Sequence, residues 1–184
     1  GLEHRVLRPY GYTVDDAARR VTVPAVSADR KILMVGDSAL FGIGVDDEHT
    51  IASFLQAELG ASAEVVNAGV GGYDAAMALE VARSGSDQDR YHALAYVAHD
   101  NDLQIGFRRA QIETSHALWR QLPGILHAAR IRYVDGVALL AARVREEGSV
   151  FAPIGHYADH GHLSRRGNAL LAGRIHAALL PTGP

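Results

Sequence analysis

The 184 residues contain no cysteine, so disulfides and thiolate metal sites are excluded and the redox compartment stays open. Long apolar runs are also missing. The longest, around Val137–Ala142, falls well short of the ~20 residues that span a bilayer, so no transmembrane segment is expected. Neither sign of charge dominates. A formal net charge of -3 gives no reason to expect nucleic acid or an anionic membrane as partner. The basic pairs Arg108-Arg109 and Arg165-Arg166 are short and flanked by helix-like sequence, and read as solvated helix faces. No signal-peptide pattern is visible. The chain starts with Gly1 instead of Met, as a trimmed or processed form would. A cytoplasmic and an extracytoplasmic location both stay open, with an extracytoplasmic or membrane-associated one favoured if an N-terminal segment has been removed. What is present is ordinary globular composition: 48% apolar and 21% charged residues, in a length that suits one domain with a full core.

The rest of the chain is arranged around Ile32–Val45, ILMVGDSALFGIGV. Ile32-Leu33-Met34-Val35 suits a strand buried on both faces, and Gly36-Asp37-Ser38 interrupts it. A Gly followed by two small polar residues turns the chain sharply and caps a following helix. A serine at that corner sits beside backbone N–H groups and the positive end of a helix dipole, both of which favour negative charge. Such a place suits a nucleophile whose attack creates an oxyanion. A plain N-cap is the alternative, because Asp and Ser are among the commonest caps.

Residues 1–29 read as an extended appendage, with a turn at Arg8–Tyr12, a short helix or irregular stretch at Val14–Arg20, and strand-like Val21–Val23 stopped by Pro24. Residues 30–184 form the main domain. Lys31–Val35 is the first strand, and Thr50–Leu59 a helix ended by Gly60. Ala63–Val66 is a second strand, followed by a Gly-rich turn at Asn67–Gly72 and a helix at Ala75–Ala82. Tyr91–Ala98 is a third strand, Gln111–Leu122 a helix and Ile131–Val134 a fourth strand. Val137–Glu146 and Leu163–Leu180 are helices, separated by a His- and Gly-rich loop at Ser149–His162. Strands alternating with helices predict an α/β fold with a mainly parallel sheet covered on both sides. Ligands bind at the carboxyl ends of such strands. Ser38, Gly72 and Asn101 each follow a predicted strand, so three separate stretches converge on one edge of the sheet.

Ester hydrolysis by serine needs a base, a group to orient that base, and donors for the oxyanion. Asp159-His160-Gly161-His162 offers base and orienter together: a spacing of three puts Asp159 and His162 on one side of a turn. A polar surface loop is one alternative. A metal site of His156, Asp159, His160 and His162 is another. No metal or other cofactor is expected, because the loop has no second acidic cluster nearby and a serine nucleophile accounts for more of the chain.

Gly36-Asp37-Ser38, Asn67-Ala68-Gly69-Val70-Gly71-Gly72, Asn101-Asp102 and Asp159-His160-Gly161-His162 occur in an order and spacing that resembles the SGNH (GDSL-type) hydrolases, over about residues 31–180. The resemblance implies a flavodoxin-like three-layer α/β/α sandwich and a serine esterase mechanism. It makes Ser38 the nucleophile, His162 the base and Asp159 its orienter. The N–H groups of Ser38 and Gly72 and the Asn101 amide become the oxyanion hole. Gly72 is preferred to Gly71 because it lies five residues after Asn67. In two places the sequence departs from the family: Ala39 stands where many members have Leu, and His99 where they have Gly. His99 either lines the acyl pocket, bonds beneath the oxyanion hole or is a satisfied strand-end residue; Asp37 is the other candidate pocket residue. Phe41–Val45, Thr50 and the strand-like appendage are similar to a branch linked to extracellular or surface polysaccharide. The expected substrate is a small acyl ester such as an acetyl group, on a small molecule or a carbohydrate, because the loops are short and Gly-rich and no lid helix of long apolar residues is evident. Lipid or thioester hydrolysis, O-acyl transfer to a sugar, and a non-catalytic carbohydrate-binding module with the same fold are the alternatives. Oligomeric state is not readable.

Overall fold

The computed structural model describes residues 10–84, 91–98, 121, 123–125, 127–128, 133–147 and 162–180. Every residue of the strand β1 (Lys31–Gly36) after Lys31 is buried. β1 pairs in parallel with β2 (Glu64–Gly69) on one side and with β3 (Ala93–Val97) on the other. Alternation along the strand splits its side chains between two cores. Ile32 and Met34 pack with Leu40, Ile51, Leu55 and Ala172, whereas Leu33 and Val35 pack with Ala68 and Ala78. Fully burying one such side chain is worth ~1.5–3 kcal/mol, which explains why β1 is apolar throughout and needs a layer on each face.

Those layers are helices. α1 (Ser38–Phe41) is a single turn, α2 (Ile51–Leu59) links β1 to β2, and α3 (Ala75–Ser84) links β2 towards β3. α4 (Gly136–Glu147) and α5 (Arg165–Leu179) follow. α2 and α5 share one core through Ile51, Leu55, Leu171, Ala172, Ile175 and Leu179, while α3 covers the opposite face through Ala78. The result is a three-layer α/β/α sandwich with an open parallel sheet. Among the described residues no helix is long and apolar enough to cross a membrane.

Local chemistry fixes the helix ends. Thr50 caps α2 by accepting a hydrogen bond from the Ser53 N–H at 3.0 Å, and Gly60, at φ +56°, ends it. Buried Gln56 ties α2 to the neighbouring strand: Nε2 donates to Gly60 O and Ala63 O, and Oε1 accepts from the Val65 N–H, all at 2.8–2.9 Å. Ser164 caps α5, and Asn168 on α5 donates to His49 O at 2.9 Å.

Three differences from the sequence reading have physical causes. β2 runs to Gly69 instead of stopping at Val66, because the Asn67 side chain accepts from the Gly69 N–H and donates to Leu40 O, so a polar residue fits inside the strand. Val21–Val23 forms no strand: the Val21 N–H donates to Thr13 O and the Val23 N–H to the Ser53 hydroxyl, beside an isolated bridge between Val14 and Arg20. Tyr133 and Val134 lie in no strand. Ile131 and Arg132, and the helix expected at Gln111–Leu122 apart from Gln121, lie outside the described residues.

Residues 10–24 are laid across the loop that follows β1. Arg20 is the anchor, 2% exposed. Its Nε donates to Asp47 at 2.8 Å, Nη1 donates to Phe41 O and Gly42 O, and Nη2 donates to Val45 O. Asp47 also accepts from the Thr13 N–H, and Tyr12 accepts from the Gly44 N–H at 3.0 Å. Burial alone would raise the Asp47 pKa, but the Thr13 hydrogen bonds and the Arg20 guanidinium outweigh it and hold the carboxyl below its ordinary value of 3.8. A depressed carboxyl stabilises the fold above its unfolded pKa and loses that contribution as pH falls through the folded one. The difference in unfolding temperature between the native chain and Asp47→Asn should therefore hold steady from neutral pH down to mild acid. It should shrink once pH drops below about 3.8. Thermal unfolding of both proteins across pH checks this; a gap that widens in acid would contradict it.

Candidate active site

The corner after β1 is built so that a helix can lie directly on the strand ends. At the last rung Gly36 stands opposite Gly69 and Val97. A Cβ added at Gly69 would lie 2.5 Å from the Phe41 nitrogen, and one at Gly36 would lie 2.7 Å from Val97 O. Both positions therefore require glycine for close approach. Asp37 then caps α1, its Oδ1 accepting from the Ala39 N–H at 2.8 Å. Gly42, at φ +87°, ends the turn and donates to Ser38 O at 3.0 Å. Ser38 is thus held by the chain on both sides.

His162 arrives from the other end of the sequence, three residues ahead of α5. Its Nε2 lies 3.0 Å from Ser38 Oγ across 124 positions of chain. For Nε2 to accept from the hydroxyl, the ring proton must sit on Nδ1. The Ser38 hydroxyl has a second acceptor in Asp37 Oδ2, but at 3.4 Å the contact is at the limit for an O–H···O bond, so the imidazole is the better partner. Asp37, expected as a pocket residue, is a completely buried cap with no exposed edge to offer a ligand.

The turn after β2 stands over the same corner. The Tyr73 N–H donates to Val70 O at 3.2 Å, and Gly72 occupies the third position of this turn at φ +81°, where a glycine is needed. A Cβ built at Gly71 would sit 4.0 Å from Ser38 Cβ, whereas one built at Gly72 would meet nothing within 4 Å. Both glycines leave the space above Ser38 free of their own side chains. Asn101, His99 and Asp159, and the metal alternative's His156 and His160, lie outside the described residues.

A shallow cleft of about 490 Å³ opens beside the start of α5, lined by Phe54, Ser164, Arg165, Arg166 and Ala169. Among the described residues, neither Ser38 nor the turn glycines line it. The residues that sequence reasoning missed here are Arg20 and Asp47, which grip the far end of the serine loop, and Asn67, whose side chain holds Leu40 O. Their partners lie 21 or more positions away in the chain, so no local spacing marks them.

An open parallel α/β/α sandwich with a serine at the corner after its central strand, faced by a histidine from the lead-in to the last helix, defines the fold class. No protein-family model and no curated protein matches the sequence. The fold is that of several solved structures. A member of the lipolytic protein G-D-S-L family from Veillonella parvula DSM 2008 aligns with a TM-score of 0.62 at 15% identity, over 82% of this chain and 98% of that one. A lipase/acylhydrolase from Enterococcus faecalis aligns with a TM-score of 0.56 at 16% identity, over 84% of this chain and all of that one. TesA aligns with a TM-score of 0.51 at 19% identity, over 82% of this chain and 98% of that one.

Proposed function

We propose that this protein is a serine esterase that acts on a small acyl ester, such as an acetyl ester, on a small molecule or a carbohydrate. The observation that carries the reading is the 3.0 Å approach of His162 Nε2 to Ser38 Oγ at the strand-to-helix corner. The fold shared with a lipolytic protein and a lipase/acylhydrolase supports it. In this reading His162 takes the hydroxyl proton as Ser38 attacks the acyl carbon, and Asp159 orients the imidazole. The oxyanion rests on the N–H groups of Ser38 and Gly72 and on the Asn101 amide. The alcohol leaves with the proton from His162, and a water, deprotonated by the same imidazole, then releases the acid. Gly71 and Gly72, in the turn beside Ser38, add no side chain of their own to the space a tetrahedral intermediate would fill.

A fluorophosphonate probe, which phosphonylates an activated serine, tests the reading. The native chain should be labelled, Ser38→Ala should not, and His162→Ala should react far more slowly. Equal labelling of all three, or none of the native chain at any pH, would end the proposal. Acetic acid release from acetylated sugars, measured with and without an added acceptor alcohol, then separates hydrolysis from acyl transfer.

A further inference from the structure

We propose that Arg20, which lies ahead of the sheet in the sequence, is a positioning residue for Ser38. The inference rests on the esterase reading and extends it. α1 is one turn long, and two backbone bonds close it, Phe41 N–H to Asp37 O and Gly42 N–H to Ser38 O. A helix of that length does not hold itself in place, since its nucleating turn gains few bonds for the dihedrals it fixes. Its end carbonyls need partners from elsewhere.

Two side chains distant in sequence supply them. Asn67 donates to Leu40 O at 3.1 Å, and Arg20 Nη1 donates to Phe41 O at 3.0 Å and Gly42 O at 2.8 Å. Three successive carbonyls at the end of the serine helix are thus held, two of them by one guanidinium nitrogen. Nη2 continues the grip to Val45 O at 2.8 Å. Two aromatic rings flank it: its central carbon lies 4.5 Å from the Tyr12 centroid and 5.2 Å from that of Phe41, and the rings themselves meet edge-on at 5.6 Å. Asp47 pairs with it as the counter-charge, at 2.8 Å and with its own side chain largely covered. A planar fork with five donors can serve this many acceptors at once, and an ammonium cannot.

The consequence is mechanical. Ser38 is fixed from below by Asp37 and from the opposite end of its turn by Arg20, so loosening the guanidinium lets the turn drift relative to His162. A misplacement of about 1 Å at a reacting group costs on the order of 100-fold in rate. A substrate bound by other loops would feel the change in turnover and not in affinity.

The test compares the native chain with Arg20→Lys and Arg20→Met. Both are assayed well below their own unfolding midpoints, by the fluorophosphonate labelling rate and by kcat and KM on an aryl acetate. Positioning predicts that labelling rate and kcat both fall roughly 10- to 100-fold while KM stays within about twofold, with Lys retaining more activity than Met. Should Arg20→Met fail to fold, Arg20→Lys and Asp47→Asn carry the comparison, since each leaves a charged or polar group in place of the one removed. A purely structural role would lower the unfolding midpoint and leave kcat per folded molecule at the native value, and that result overturns the proposal. If the native chain itself neither labels nor turns over, the esterase reading falls and the positioning role with it. If the native chain reacts and the variants match it, only the positioning role falls.

Discussion

His162→Ala is expected to fold like the native protein and to lose about 10,000- to 1,000,000-fold of its ester turnover, the range seen when a serine hydrolase is deprived of its base. Without an acceptor at 3.0 Å from Oγ, the Ser38 hydroxyl attacks as a neutral alcohol, and the leaving alcohol has no proton donor. The fold has little to lose. His162 is partly exposed and sits outside both buried clusters, and substitutions of that kind usually shift stability by no more than about 0.5 kcal/mol. The measurement is kcat/KM on an activated acetate ester together with the unfolding temperature. A loss smaller than tenfold in a folded variant would mean that another group takes the proton. A large fall in unfolding temperature would mean that the loss is not chemical.

The second large effect is on the fold. Gly69→Ala places a methyl group 2.5 Å from the Phe41 nitrogen and 2.9 Å from the Leu40 carbonyl carbon. Both are backbone atoms of α1, so no side chain can swing aside. Either the sheet rung or the helix must move. Overpacking of this kind costs about 1–3 kcal/mol, roughly 2–12 °C in the unfolding midpoint of a domain this size. The displaced element carries Ser38, so the surviving folded fraction should also be slow. Gly71→Ala is the control, because its methyl group would find ordinary contacts at 3.9 Å from Ile43 and 4.0 Å from Ser38 and should leave stability close to native. Calorimetry on the two variants decides the matter: equal midpoints would show that α1 yields without resistance.

How much of this was legible beforehand depends on whether the cause was local. β1 reads directly from Ile32–Val35, because a strand buried on both faces has to be apolar throughout. α2 reads from Thr50 and Gly60, whose capping chemistry acts within a few residues. Ser38 reads from Gly36-Asp37-Ser38, where a turn, a cap and a hydroxyl are adjacent. The full extent of β2 does not, since Asn67 and Gly69 are turn formers by composition. They belong to the strand because Leu40 O and the close approach of α1 lie across from them, and that is tertiary information. Arg20 is the extreme case. In sequence it is one of two arginines in an irregular stretch; in the structure it is among the most buried side chains, and among the described residues its guanidinium bonds only to acceptors from Phe41 onward.

The distance in sequence between Ser38 and His162 has a consequence for the history of each molecule. The serine corner lies at the end of β1, early in the chain, whereas the imidazole lies just ahead of α5, which packs on α2 through Ala172, Leu171, Ile175 and Leu179. A chain emerging from the ribosome carries the hydroxyl long before it carries its partner. The helix that follows the histidine is made more than 120 residues after the serine, so under the proposed function a half-built molecule is expected to be inert towards whatever esters surround it.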